Sequence, residues 1–371
     1  MATTLTPDGS GNDTAQIAAA LIDGADVILD GAEFFSDPIT ISKSTYGTAM
    51  NMTLRGSSDD VKLTPRNNDV PFLTFNRGVG LNLRNLRILY SADTFTWPNT
   101  TDLVNAIRIF GMQDVYMERI YTEKSFDAIF ISGSSANPTS LDLSVIAENG
   151  SEPSTNIGWA HVQTDDAYND GWYFGWLNKA QGFAGGADDC GGNGVESNAQ
   201  DIVWERPSIN RCAVNGWSTK SSTIRTILRN PTTIGNTAAG IASDNTGNHM
   251  RNFIIENPIS RANGQSGIAL DRTSASFVHD DVLIINPQLI GNSQVTSQTW
   301  GNLRIGLLAT ANIQNRIRVV GGLLDGLGPQ QLVSNILAYH ADDVQTYGLS
   351  NINKSGADVI DASVTNYQAF T

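Results

Sequence analysis

Apolar and polar residues alternate over short stretches along nearly the whole chain, and one segment departs from that pattern. In residues 12–22, Ile17 and Leu21, with Ala18, fall on one face at helical spacing, and Asn12 or Asp13 stands where a helix cap belongs. This predicts a single short helix near the start. Val27-Ile28-Leu29, Ile39-Thr40-Ile41 and Met52-Thr53-Leu54 follow as short strands bounded by Asp, Gly and Ser. Leu83–Ile88, Val115–Ile120 and Leu141–Val145 continue the series.

Further along, the strands fall into a repeat. Ile227-Leu228-Arg229-Asn230-Pro231, Ile254-Ile255-Glu256-Asn257-Pro258 and Ile284-Ile285-Asn286-Pro287 each place Asn-Pro after an apolar strand. A second Asn comes six residues after the first, at Asn236, Asn263 and Asn292. Val203-Trp204-Glu205-Arg206-Pro207 is a weaker member, and prolines 207, 231, 258 and 287 are spaced by 24, 27 and 29 residues. A further short strand then opens on Gly216, Gly240 and Gly267. Two or three short strands per period of this length describe one coil of a parallel β-helix. Inward Ile, Leu and Val stack between coils, while Asn suits the corners: its amide can form ladders and its backbone tolerates left-handed angles. A β-propeller blade would need about 40–50 residues.

Composition narrows the class. The chain has 371 residues with 35 Gly, 34 Asn, 16% charged residues and a net charge of −14. Its 40% hydrophobic content argues against disorder, and two cysteines are too few for a disulfide scaffold. No basic surplus suggests nucleic acid, and no apolar stretch approaches the ~20 residues that cross a bilayer. The start lacks a basic and apolar leader, which points to a virion protein or to a signal already removed. No linker is visible. The expected division is a cap with the helix over 1–30, a β-helix over 31–350, and a tail or cap over 351–371.

At this point the chain resembles the pectin-lyase-like superfamily of right-handed parallel β-helices, including its phage tailspikes and polysaccharide-degrading members. The resemblance is carried by Asp8-Gly9-Ser10-Gly11-Asn12-Asp13-Thr14-Ala15-Gln16-Ile17-Ala18-Ala19-Ala20, then Val27–Phe34, then Pro38–Ile41, and the coil repeat extends it. It implies an all-β, single-stranded right-handed parallel β-helix with a short capping helix, no cofactor, and a polysaccharide or oligosaccharide as partner. It also implies a homotrimer and a tail-associated or secreted setting. The superfamily spans lyases, hydrolases, epimerases and binding proteins, so function has to come from the site.

Five of the seven tryptophans lie between 159 and 217: Trp159, Trp172, Trp176, Trp204 and Trp217, with Tyr168, Tyr173, Phe174 and Phe183 among them. Aromatic faces suit sugar rings, although the same residues could fill the core. Acids crowd the same region, Asp165, Asp166 and Asp170 in one run and Asp188-Asp189 in a Gly-rich loop. Glycoside hydrolysis needs two carboxyl groups ~5–5.5 Å or ~6.5–9.5 Å apart, and coils ~4.8 Å apart supply such separations. A hydrated turn or a calcium site would use the same residues. Aligning the coils on Gly216, Gly240 and Gly267 puts Lys220, Asp244 and Asp271 in a column, where adjacent Asp would need a shared proton or cation. Against the polygalacturonase pattern, Asn169-Asp170-Gly171 and Asp188-Asp189 match two elements, Asn215-Gly216-Trp217 lacks the His, and no Arg-x-Lys follows.

The expected function is therefore a glycoside hydrolase of the tailspike depolymerase type. Asp166, Asp170, Asp188, Asp189, Asp244 and Asp271 are its candidate acids. Trp159, Trp172, Tyr173, Trp176, Trp204, Trp217 and Lys220 are its candidate substrate contacts. A uronate lyase or epimerase, or a non-catalytic carbohydrate-binding spike, is the alternative. His161, His249, His279 and His340 lack metal-ligand spacing, and Cys190 and Cys212, 22 residues apart, fall near each other if the coils stack.

Overall fold

The computed structural model describes residues 2–67, 70–90, 104–133, 152–219, 222–243, 249–271, 279–293, 300–306, 314–327, 334–362 and 364–370. Among these residues the chain forms 32 strands and one helix, Thr14–Ala20. Every strand pairing whose register is resolved is parallel, as between Gln200–Glu205 and Ile224–Arg229, or between Gly78–Leu89 and Gln113–Glu123. This is the parallel β-helix that the repeat predicts.

The chain divides into two compact units, Met1–Gly186 and Ala187–Thr371. In the first, the strand Ala2–Leu5 pairs in parallel with Asp26–Leu29 and so opens the stack ahead of the helix. The helix buries Ile17, and Leu21 just past its end is buried too, while Ala18 is exposed. Asn12 Oδ1 accepts the Thr14 N–H, whereas Asp13 turns inward and accepts the Phe35 N–H. In the second unit the last strand, Gln368–Phe370, pairs with Gln345–Tyr347. Stacked strands thus extend into both stretches that the sequence assigned to caps.

The corners explain the asparagines. Asn230, Asn257 and Asn286 take φ of 50°, 49° and 47°, a left-handed conformation in which Asn is among the few residues held at low cost. Their exposed amides bond from coil to coil, Asn257 to Asn230 at 3.0 Å and Asn286 to Asn257 at 3.2 Å. The Asn six residues later is buried. Asn236 Nδ2 donates to Asn263 Oδ1 at 2.9 Å, Asn263 to Asn292 at 2.8 Å, and Asn302 to Asn335 at 2.8 Å. Cys212 occupies the same position one coil earlier, its N–H donating to Asn236 Oδ1. Both cysteines are buried, and neither forms a disulfide among the described residues.

Candidate functional site

The tryptophans are a correction to the sequence reading. Trp159, Trp172, Trp204 and Trp217 are at most 2% exposed, and Trp176 is 8% exposed. Trp159 packs on Trp172 and Phe174 with ring centroids 5.3 and 5.4 Å away, and Trp204 packs on Trp217 at 6.1 Å. The Trp172 indole donates to the Gly186 carbonyl at 2.9 Å. Side-chain room for Trp159 depends on Gly182, where a Cβ would lie 2.3 Å from the indole. Stacking inside the coils satisfies large flat rings as well as a sugar would, so these five are core and not platforms. Tyr173 alone of the predicted contacts stays half-exposed, stacked on Phe130 at 4.7 Å. Lys220 lies outside the described residues.

The predicted acids separate into different environments. Asp188 and Asp189 are closed by Arg211: Nε and Nη2 each donate to Asp189 at 2.8 Å, and Nη2 lies 2.7 Å from Asp188. Asp189 sits at a corner with φ of 51°, and the Arg211 hydrogen bonds hold its carboxyl below the usual carboxylate range. Such a group is a poor proton donor near neutral pH. Asp271 is buried and ion-paired with Arg304 of the next coil, whose guanidinium lies 3.9 Å from the Trp300 ring centroid. Burial pushes the Asp271 carboxyl up, against the pull of Arg304. The cation beside Asp271 is thus Arg304, which no sequence signal indicated. Asp244 lies outside the described residues. Asp170 is buried over Asp127, which accepts the Asp170 N–H at 3.2 Å and the Asn169 amide at 2.9 Å. Asp166 is exposed at a left-handed corner.

Beside Asp166 the first unit assembles a group that the sequence reading missed. Strands Gln113–Glu123 and Ser154–Asp165 lie in register, so that Tyr121 faces Gln163 and Glu123 faces Asp165. The Tyr121 hydroxyl lies 3.1 Å from Asp165 Oδ2 and 3.4 Å from Glu123 Oε2. The nearest oxygens of the two carboxylates can therefore be no further apart than these distances combined, which is the lower edge of the inverting range. Arg87, from the coil before, stands over the Tyr121 ring at 5.1 Å. Burial, then the Asp165 charge, pushes the Tyr121 hydroxyl well above the usual phenol range, so it stays a proton donor at neutral pH. The chain turns at Lys124 and Asp166, with φ of 60° and 49°, and then sets Phe126 against Tyr168, stacked at 5.9 Å. Tyr168 is 58% exposed. Three successive coils thus present a guanidinium, a protonated hydroxyl, a carboxylate pair and an open aromatic face around one corner. Among the described residues no group of His, Cys, Asp and Glu could hold a metal ion.

No protein-family model and no curated protein matches this chain. Solved structures do resemble it. The catalytic unit of a thermostable GH87 α-1,3-glucanase from Streptomyces thermodiastaticus matches with a TM-score of 0.73 at 11% identity, over 100% of this chain and 68% of that one. The A-module of mannuronan C-5 epimerase AlgE4 from Azotobacter vinelandii matches with 0.57 at 15%, over 98% and 94%. PfbA, a surface adhesin of Streptococcus pneumoniae, matches with 0.61 at 12%, over 94% and 91%. At these identities the likeness establishes the fold.

Proposed function

We propose that the protein is a polysaccharide-cleaving glycoside hydrolase acting through Glu123 and Asp165. The observation that carries this reading is the carboxylate pair held across two coils by one tyrosine hydroxyl. The fold shared with a glucanase and an epimerase supports polysaccharide as the substrate class. The shorter contact makes Asp165 the main acceptor of the Tyr121 proton, which stabilises its anion and suits it to attack the anomeric carbon. Glu123 then protonates the leaving oxygen and later activates water, the retaining cycle for closely spaced carboxyls. Lys124 lies 3.4 Å from Glu123, and both side chains are about one-third exposed, so this ion pair is weak. Tyr168 offers the face for a sugar ring. A tail-associated or secreted setting and a homotrimer belong to this proposal, and sedimentation velocity would check the trimer. Among the described residues no helix is long and apolar enough to cross a membrane.

Arg87 favours a second reading. A guanidinium beside a tyrosine can neutralise a uronate carboxylate while the phenol exchanges a proton at C5, as a lyase or epimerase requires. The raised Tyr121 hydroxyl opposes this, because the base must ionise. Incubation with a panel of bacterial polysaccharides separates the readings. New reducing ends without ultraviolet absorbance of unsaturated uronate are expected. Both signals together would indicate a lyase, and binding with neither would indicate an epimerase or a spike. Glu123→Gln and Asp165→Asn should each lower kcat by at least about a hundredfold with the fold intact. Full activity in both variants would dismiss this pair.

A further inference from the structure

In the first unit, on coils that end with the one carrying Glu123, a polar groove of about 470 Å³ opens at the left-handed corner formed by Asn85 and Arg119. Register builds it. Arg55 faces Arg84, which faces Glu118, in one outward column. Asp26, Thr53 and Asn82 form the column beside it. The groove is lined by Arg55, Arg84 and Arg119 against Asp26 and Glu118, a local positive excess on a chain of net charge −14. Its volume lies in the range of ligand clefts.

The three guanidiniums are not equivalent. Arg55 is closed by Asp26 through two hydrogen bonds of 3.0 and 3.1 Å. Arg84 has only a distant carboxylate, Glu118 at 3.8 Å, with its guanidinium 5.4 Å from the Tyr116 ring centroid. Its Nε is buried and has no hydrogen-bond partner. Arg119 forms no ion pair among the described residues. A buried N–H without an acceptor is costly, and a guanidinium's donors match both oxygens of a carboxylate. Asn82, Asn85 and Thr53 add the amide and hydroxyl groups that sugar hydroxyls bond. We propose that this groove is a subsite for a carboxylated sugar residue, held by Arg84 and Arg119. It defines the substrate as an acidic glycan, and it rests on the reading of Glu123 and Asp165 as the cleaving pair, since Glu118 and Arg119 of the groove share the strand Gln113–Glu123 with Glu123.

The test uses the full chain carrying Glu123→Gln, so that binding is read without cleavage. Calorimetric titration with hexasaccharides of galacturonate, mannuronate and glucuronate is compared with neutral maltohexaose. At least one acidic hexasaccharide should bind about tenfold or more tightly than the neutral one. Arg84→Gln and Arg119→Gln should each weaken that binding by about tenfold or more, and Arg84→Lys should recover only part. Thermal melts confirm folding, and Arg119, on an exposed corner, serves if Arg84→Gln fails to fold. Equal affinity for acidic and neutral sugars, no binding of any acidic hexasaccharide, or unchanged affinity in the variants would overturn the subsite. So would inorganic phosphate displacing the sugar at equal concentration, which would mark a general anion site. The two proposals fail separately. Cleavage that survives Glu123→Gln and Asp165→Asn removes the catalytic pair and leaves the binding result standing. Cleavage of neutral glycans without acidic binding does the reverse.

Discussion

At the scale of single residues, the corners are where charge chemistry and backbone strain meet. Asp201, Asp189 and Asp281 sit at left-handed positions and pair with Arg225, Arg211 and Arg316 one coil on. In Asp189 and Asp281 the arginine hydrogen bonds hold the carboxyl below its ordinary range. A carboxyl with a depressed folded pKa stabilises the fold above its unfolded value, near pH 4, and that contribution is lost as pH falls through the folded value. The melting temperature should therefore be flat from pH 7 to 5 and fall below about pH 4. Arg211→Gln should lower stability at pH 7 by no more than about 1 kcal/mol, because Asp189 and Arg211 are about half exposed. The variant should then converge with the parent near pH 2. Melts across pH check this, and a constant gap between the two proteins would show that the ion pair is not the source.

At the scale of elements, the two asparagine columns look alike in sequence and differ in energy. Asn263 is fully buried. It receives two hydrogen bonds from Asn236, at 3.0 and 2.9 Å, and donates to Asn292 and Ser260, both at 2.8 Å. Asn263→Ala should cost about 3–5 kcal/mol, since it breaks the ladder and strands buried partners on both sides. Asn257→Ala, on the exposed column, loses a solvated bond and adds a left-handed alanine, about 1–2 kcal/mol in all. Urea unfolding of the two variants would decide, and equal costs would mean the buried ladder contributes nothing special. These columns were legible because the coils in residues 203–292 keep a nearly constant period, so that Asn-Pro and the second Asn recur in phase. The group at Tyr121 was not. Glu123 and Asp165 are 42 residues apart in the chain, and their meeting depends on a register that irregular spacing hides. The tryptophans misled for the opposite reason: their clustering was real, but aromatic residues stack equally well in a narrow core and on a sugar, and only burial separates the two. Arg304 illustrates the same limit, since its partner Asp271 is 33 residues away.

At the scale of the molecule, net charge and local charge make opposing demands on an acidic substrate. The chain carries −14, so an approaching polyanion is repelled until it reaches the groove at Arg84 and Arg119. The two effects act over different ranges. The Debye length is ~30 Å at 0.01 M ionic strength and ~8 Å at 0.15 M, so added salt removes the long-range repulsion first and weakens the close arginine contacts less. Long-range fields govern association, whereas short contacts govern dissociation. The association rate of an acidic hexasaccharide with the Glu123→Gln protein should therefore rise between 0.01 and 0.15 M salt, while its dissociation rate rises modestly. Stopped-flow fluorescence, using tyrosines and tryptophans as reporters, measures both. A field dominated by the arginines would steer the ligand in and give an association rate that falls with salt. That result would mean that the acidic surplus lies far from the groove and that the approach path is positive.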